Sequence, residues 1–352
     1  MKIVNLICNF IFCIIHIIFI IAIFFNQTKK AQNHIVTLTG KTMGTYWQVK
    51  IPKLKNQVYI KKIIQKYLNK DEDMLSSWKK NSIVSQFNRI KKNQPQIINK
   101  KFFRLISTAL KINKKTNGKL DITIGSLINI WGFGTEKKPN NYISKKKLKK
   151  YLNLSGSQHL KLIKNSSGMY LEKDINGIEI NLSTLGEGFA ADHISYILKK
   201  KGIKNYTVSI GGAVVVKTEK NQKKSKIIAI QKPTDKEISI HLLICLKNHS
   251  ISTAGSYRNY YYLKGKHISH LIDPSNGKPV THNLVSVSVI AKTALEADSW
   301  DTGLLIAGFK KAKEIALKEN LAVCLITQKK NIFSTWISPK FKKFLIKKNN
   351  FY

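Results

Sequence analysis

The stretch NLSTLGEGFAADHISYILKKKG, residues 181–202, is the clearest helix in the chain, and what flanks it decides the fold. Thr184 and Glu187 stand at capping-box spacing, in which a hydroxyl and a carboxylate each satisfy a backbone N–H of the first turn. Phe189, Ile194, Ile197 and Leu198 predict one apolar face. Lys199–Lys201 followed by Gly202 predict the end. Downstream, a strand at Tyr206–Val208 runs into Ile210-Gly211-Gly212 and opens a β-rich stretch to about residue 291. Two helix-like segments, 293–307 and 309–319, and further β-like runs complete the chain. Upstream, β-like alternation runs from His34 through Ile51. Amphipathic helices are predicted at 56–70 and at 100–113, the second closed by Asn117-Gly118. A short strand, Asp121 to Ile124, leads into SLINIWGFG. A Lys-rich helix follows at about 143–152, then short strands near 159–182, broken by turn signals at Ser166-Ser167-Gly168 and Asn176-Gly177. Hairpins mixed with segregated helices predict an α+β fold of mixed or antiparallel sheets with packed helices, not a regular βαβ repeat.

The chain has 352 residues, enough for a sizeable core, and no repeat of solenoid length is visible. Its unusual property is charge: 61 Lys+Arg against 19 Asp+Glu, formally +42. Such an excess points to nucleic acid or an anionic membrane when it is clustered. Here lysine is spread along the whole chain among Asn and Ile, whose codons are equally A/T-rich, so genome drift accounts for the bias at least as well as selection for a ligand. The informative minority is the carboxylates. Cys8, Cys13, Cys245 and Cys324 show no metal-ligand spacing. The last two fall in β-like runs and read as buried hydrophobes, with nothing to support a disulfide between them.

Residues 3–25 form one apolar stretch behind Lys2 and stop at NQTKK. That exceeds a usual signal core and approaches the roughly 20 residues that span a bilayer. No A-x-A-like cleavage site follows, so an uncleaved membrane anchor over residues 1–30 is the first expectation and a cleaved export signal the second. The body, residues 34–347, would then be one exported domain.

Three constellations could carry chemistry. In TALEADSWDTG, Asp298 shares a helix face with Asp301 and Thr302, three and four residues on, with Glu296 nearby. Two carboxylates and a hydroxyl within one turn are hard oxygen ligands suited to Mg²⁺. The plainer reading is a solvated face or a set of helix N-terminal acids. In STLGEG (183–188), small residues at a helix start let backbone approach a phosphate, although a plain capped helix reads the same way. The pair Gly211-Gly212 reads first as a strand-ending turn. Lastly, the aromatic run Tyr257-Arg258-Asn259-Tyr260-Tyr261-Tyr262 precedes HLIDPSNG, whose tight turn places His270 and Asp273 near a strand end. A histidine there suits a general base, though a lone histidine is more often structural.

Taken together, seven segments resemble the FAD:protein FMN transferases, the ApbE family. They are GKTMGTYW (40–47), DITIGSLINIWGFG (121–134), NLSTLGEGFAADH (181–193), SIGG (209–212), ISTAGSYRNYY (251–261), HLIDPSNGKP (270–279) and EADSWDTG (296–303), in the family's order. The resemblance implies an α+β fold holding FAD in a cleft with Mg²⁺ at its pyrophosphate. By position, it places flavin binding at Met43, Trp78, Lys119, Leu120, Asp121, Asn181, Glu187 and Ile272. It places the metal at the Thr184 carbonyl, Asp298 and Thr302, with Asp301 adjacent. His270 or Asp301 would take the proton of the acceptor threonine. Three departures stand out: Asn181 replaces the family's usual aspartate, Ser126 replaces a common proline, and the lipid-acceptor Cys frequent at family N-termini is missing.

The activity so implied is Mg²⁺-dependent transfer of FMN from FAD to a threonine hydroxyl of an acceptor flavoprotein, with release of AMP. The acceptors expected are subunits of membrane redox complexes with an Asp/Ser-Gly-Ala-Thr-like site. The location expected is the inner membrane, with the catalytic domain on the periplasmic side. Rival readings are an FAD pyrophosphatase and a non-catalytic flavin-binding protein. Nucleic-acid binding rests on charge alone, and dispersed lysines do not support it.

Overall fold

The computed structural model describes residues 35–219 and 225–346. The expected leader lies outside those residues, and among the described ones no helix is long and apolar enough to cross a membrane.

The frame is an eight-stranded sheet whose spatial order follows the chain: β1 (Ile35–Thr42), β2 (Thr45–Pro52), β3 (Tyr206–Ile210), β4 (Ala213–Lys217), β5 (Ser250–Gly255), β6 (Leu284–Ala291), β7 (Ala322–Lys329) and β8 (Ile332–Ile337). Every pairing in it is antiparallel. The β1–β2 hairpin closes on Met43 (φ 49) and Gly44 (φ 73), two positive-φ residues whose twist matches that of the paired strands. Alternation in β2 buries Trp47, Val49 and Ile51 and exposes Tyr46, Gln48 and Lys50, as a half-covered strand requires. By contrast, β6 and β7 are buried on both faces for most of their length. On one face Val287, Val289, Val323 and Leu325 join a core with the helices. On the other, Ile251, Ile290, Cys324 and Ile326 pack with a separate hairpin, Lys226–Gln231 and Ile240–Leu246.

Four helices matter for the site: α1 (Gln57–Leu75), α2 (Lys100–Lys115), α3 (Gly186–Lys200) and α4 (Ala294–Ala307). In α2, Phe102, Leu105, Ile106, Ala109 and Ile112 recur at helical spacing and are buried, and Asn99 caps the start by accepting from Lys101 N and Phe102 N. Burying each large side chain contributes about 1.5–3 kcal/mol, which is why this stripe sets the helix. Asn117 and Gly118 close it at positive φ, as expected. Helix α4 differs: almost its whole circumference is buried, between β5 and β6 on one side and α2 and α3 on the other.

The α+β expectation holds, but three local readings change. No strand forms at 121–124. Asp121 Oδ1 accepts from Thr123 N (2.8 Å) and Thr123 Oγ1 (2.6 Å), which bends the segment, and only Ile124 makes a bridge, to Glu179. A helix Gly125–Ile130 follows directly. The capping box at Thr184 and Glu187 does not form, because Glu187 spends its carboxylate on a distant backbone N–H, and α3 starts without a side-chain cap. Finally, α1 runs to Leu75, five residues beyond its expected end, so the turn after it carries Trp78. Cys245 and Cys324 are both free thiols, and burial pushes the Cys324 thiol up to about 12.

Candidate active site

Helices α3 and α4 cross at Gly188. A Cβ there would sit 2.6 Å from the Asp298 Cβ and 2.5 Å from the Ala294 carbonyl oxygen, so only glycine allows the approach. The crossing brings Gly188 N to Asp298 Oδ2 at 2.8 Å, while Ser252 Oγ on β5 donates to Asp298 Oδ1 at 3.0 Å. One turn below, Asp301 is fully buried. Thr302 Oγ1 reaches its Oδ1 at 3.3 Å, and its Oδ2 has no hydrogen-bond partner among the described residues. Burial first, then the neighbouring Glu187, pushes the Asp298 carboxyl up to about 8. Burial and Asp298 together raise Asp301 well above the carboxylate range. Two adjacent buried acids with an idle oxygen are costly when both are charged, and the cost is relieved either by protonation or by a cation.

The N-terminal loop of α3 forms the next wall. Glu187 Oε2 accepts from Gly212 N at 2.7 Å, pinning the β3–β4 turn to the helix, and burial raises the Glu187 pKa despite that bond. Gly211 sits at φ 50, and a side chain on it would run into the Glu187 carboxylate. The glycine pair therefore does more than end a strand: it admits the clamp.

Of these residues Glu187, Gly211, Gly212 and Asp298 line a cavity of about 930 Å³, whereas the fully buried Asp301 is not in its lining. Thr184, Glu187, Asp298 and Thr302 form one wall, and His270 and Ile272 stand on another. Lys41 and Arg258 supply positive charge to it. The His270 Nδ1–H donates to the Asn259 carbonyl at 2.9 Å, which leaves Nε2 unprotonated in the neutral ring. Burial lowers the His270 pKa, against the pull of that bond, so the neutral form is favoured.

The other expected site residues act as supports or stand apart. Asn181 is buried; its Oδ1 accepts from Ser183 N at 2.9 Å and its backbone N–H donates to the Ile122 carbonyl at 2.8 Å, tying the α3 loop to the 121–124 segment. Lys119 Nζ binds Asp273 Oδ1 (2.7 Å), Asp273 Oδ2 (2.8 Å) and Ser275 Oγ (3.0 Å), holding the turn beside Ile272. Burial would raise Asp273, but Lys119 and Ser275 hold it below the usual carboxylate value. Leu120 is core and Asp121 is spent on Thr123; neither they nor Lys119 line the cavity. Met43 packs with its Sδ 3.5 Å from where a Gly186 Cβ would lie, so the hairpin tip covers the start of α3. Trp78 is not brought in: it is 66% exposed in the turn after α1 and lies outside the cavity lining. Reasoning from sequence missed Ser252, 46 residues from the carboxylate it serves, and the need for glycine at 188.

Asp298, Asp301, the Thr302 hydroxyl and the Thr184 carbonyl suit a hard divalent cation in donor type. Among the described residues no group of three or more His, Cys, Asp or Glu is placed to hold a metal, so a cation here would need neutral oxygens to complete its ligands. The orphaned Asp301 Oδ2 is the observation that fits a cation here.

A sequence profile of the ApbE family matches residues 43–325. The chain belongs to the ApbE family. It is 67% identical to the FAD:protein FMN transferase of Buchnera aphidicola subsp. Schizaphis graminum, over 97% of this chain and 99% of that one. It is 44% identical to the protein of that name from Escherichia coli K12, over 92% of each. Among solved structures, the flavin transferase ApbE from Vibrio cholerae superposes with a TM-score of 0.79 at 30% identity, covering 89% of this chain and 99% of that chain. The match of this ApbE-family chain thus spans both walls of the cavity, from Met43 on the hairpin to Leu325 on β7.

Proposed function

We propose that this chain is a Mg²⁺-dependent FAD:protein FMN transferase that esterifies a threonine hydroxyl of an acceptor protein and releases AMP. That it is a flavin transferase using FAD follows from its family and from relatives of that name. The cation, the threonine and the AMP product belong to the proposal. The observation that carries it is Asp298 on the wall of a cavity shared with His270, with Asp301 buried further along the same helix and one of its carboxylate oxygens unpartnered.

Asp298, Asp301, Thr302 and the Thr184 carbonyl would hold Mg²⁺, which when bound neutralises charge on the diphosphate of FAD. The uncapped start of α3 offers backbone N–H groups to the same diphosphate, with Lys41 and Arg258 adding positive charge. His270 Nε2 takes the proton of the acceptor threonine as its Oγ forms the new bond to the FMN phosphorus. The bond from that phosphorus to the AMP oxygen breaks, and AMP leaves. Orientation of the two reactants in the cavity supplies the rest.

The acceptors we propose are subunits of membrane redox complexes bearing an Asp/Ser-Gly-Ala-Thr-like site. The apolar stretch at residues 3–25 would anchor the enzyme in the inner membrane with its catalytic domain on the exported side. The test is co-expression with a candidate acceptor, followed by mass spectrometry for an FMN-sized gain on threonine. Free FMN from FAD and Mg²⁺, with no gain on the acceptor, would instead assign a pyrophosphatase.

A further inference from the structure

A second cavity, about 700 Å³, shares no lining residue with the catalytic one. It is bounded by the outer turns of α3, the end of β4 and the residues just before α4. Arg104, Lys199, Lys204, Lys217 and Lys292 line it, against two carboxylates, Asp192 and Glu219. In a chain so rich in lysine, cations in a groove mean little by themselves. What singles this groove out is how its charges and polar groups are spent.

Both carboxylates are already committed. Asp192 Oδ1 and Oδ2 accept from Ala294 N (2.9 Å) and Leu295 N (3.0 Å), capping α4, and Glu219 pairs with Lys204 at 3.0 Å. Arg104, Lys199, Lys217 and Lys292 make no ion pair within 4 Å among the described residues, and of these four the charge of Asp192 reaches only Arg104 and Lys217, at longer range. Between them lies Thr218, 5% exposed, whose Oγ1 is buried with no hydrogen-bond partner. Its backbone N–H is satisfied by Asn248 Oδ1 at 3.0 Å, so only the hydroxyl is left over. A buried hydroxyl without a partner, in the lining of a groove whose Arg104, Lys199, Lys217 and Lys292 form no close ion pair, lacks an acceptor with negative charge.

We propose that this groove is a second, non-catalytic binding site for a phosphate-bearing anion, with Thr218 Oγ1 donating to a phosphoryl oxygen and Arg104, Lys199, Lys217 and Lys292 balancing its charge. The half-exposed ring of Tyr196 lines the same groove and offers a face to whatever carries the phosphate. The carrier is either a free phosphate compound or the headgroup of an anionic lipid. The inference does not depend on the chemistry proposed for the first cavity.

The test uses the full chain with its first cavity saturated by FAD, in EDTA at physiological salt, titrated calorimetrically with inorganic pyrophosphate. Wild type binds saturably. Thr218→Val, which changes no charge and keeps the side chain's shape, weakens binding by about threefold or more, as expected for one lost hydrogen bond to an ion. Lys217→Gln with Lys292→Gln weakens it by about tenfold or more, while the surface pair Lys145→Gln with Lys146→Gln stays within about twofold. FMN transfer is unchanged in all three. Flotation with phosphatidylglycerol vesicles then separates the carriers. Loss in the groove pair but not the surface pair assigns a lipid headgroup, and retention in both assigns a free phosphate. The proposal is overturned if wild type does not saturate, if Thr218→Val binds like wild type, or if the surface pair weakens binding as much as the groove pair.

Discussion

Lys173 and Asp301 are both fully buried ionisable residues, and their surroundings are opposite. Lys173 Nζ donates to three carbonyl oxygens, those of Phe87 (3.1 Å), Asn88 (3.0 Å) and Ile178 (3.0 Å), and lies 5.1 Å from the Phe87 ring centroid. Every proton it owns has a destination, so a buried charge becomes a tie between the segment after α1 and the segment leading into the α3 loop. Asp301 receives one long bond and leaves an oxygen bare. The two sites share the cost of desolvation and differ in whether the protein itself offsets it. Where it does, the charge belongs to the fold. Where it does not, we propose that a cation supplies the compensation, which would give the residue a function.

The comparison can be broken first at its functional end. Asp298→Ala should lower FMN transfer by about a thousandfold or more, because one of two carboxylates is removed from a sparse ligand set. The purified variant should keep its circular dichroism spectrum, and undiminished transfer would refute the assignment. At the structural end the expectation reverses. Lys173→Met leaves three buried carbonyls unsatisfied and should cost about 3 kcal/mol in urea unfolding, with transfer per folded molecule nearly unchanged. A Lys173→Met protein as stable as wild type, yet inactive, would erase the distinction.

A pH series sharpens it. Asp298 has a folded pKa of about 8 against 3.8 unfolded, so between those values the unfolded chain gives up its proton more readily. Without divalent cations, stability should therefore fall as pH rises through that window, and Asp298→Asn should flatten the slope. A profile identical in wild type and variant would place the shift elsewhere. The smallest effect is expected at Asn181→Asp. Its side-chain oxygen serves Ser183 N, and aspartate keeps that acceptor, so transfer should stay within about twofold. Complete loss of FAD binding would show that this loop has diverged from the family.

Much of this was legible in the sequence where the signal was local. Asp298, Asp301 and Thr302 fall within one turn, and the spacing alone placed them on one helix face. The helix ending at Lys200 and the closure of α2 by Asn117-Gly118 were read from side-chain periodicity and turn chemistry. What escaped was non-local. The Glu187 carboxylate looked like half of a capping box, but an N–H 25 residues away claims it. Trp78 was carried into the site by position, yet the extra turn of α1 leaves it in solvent. Lys173 carries no mark that separates it from the other lysines, since its three carbonyl partners lie on segments that only the tertiary fold assembles.

If Asp301 holds a cation, thermal melting reveals it without any flavin. Mg²⁺ added to the metal-stripped chain should raise the Tm of wild type by several degrees, as a ligand bound only to the folded state does, and should leave Asp301→Asn almost unmoved. An equal rise in both, or none in wild type, would contradict the account.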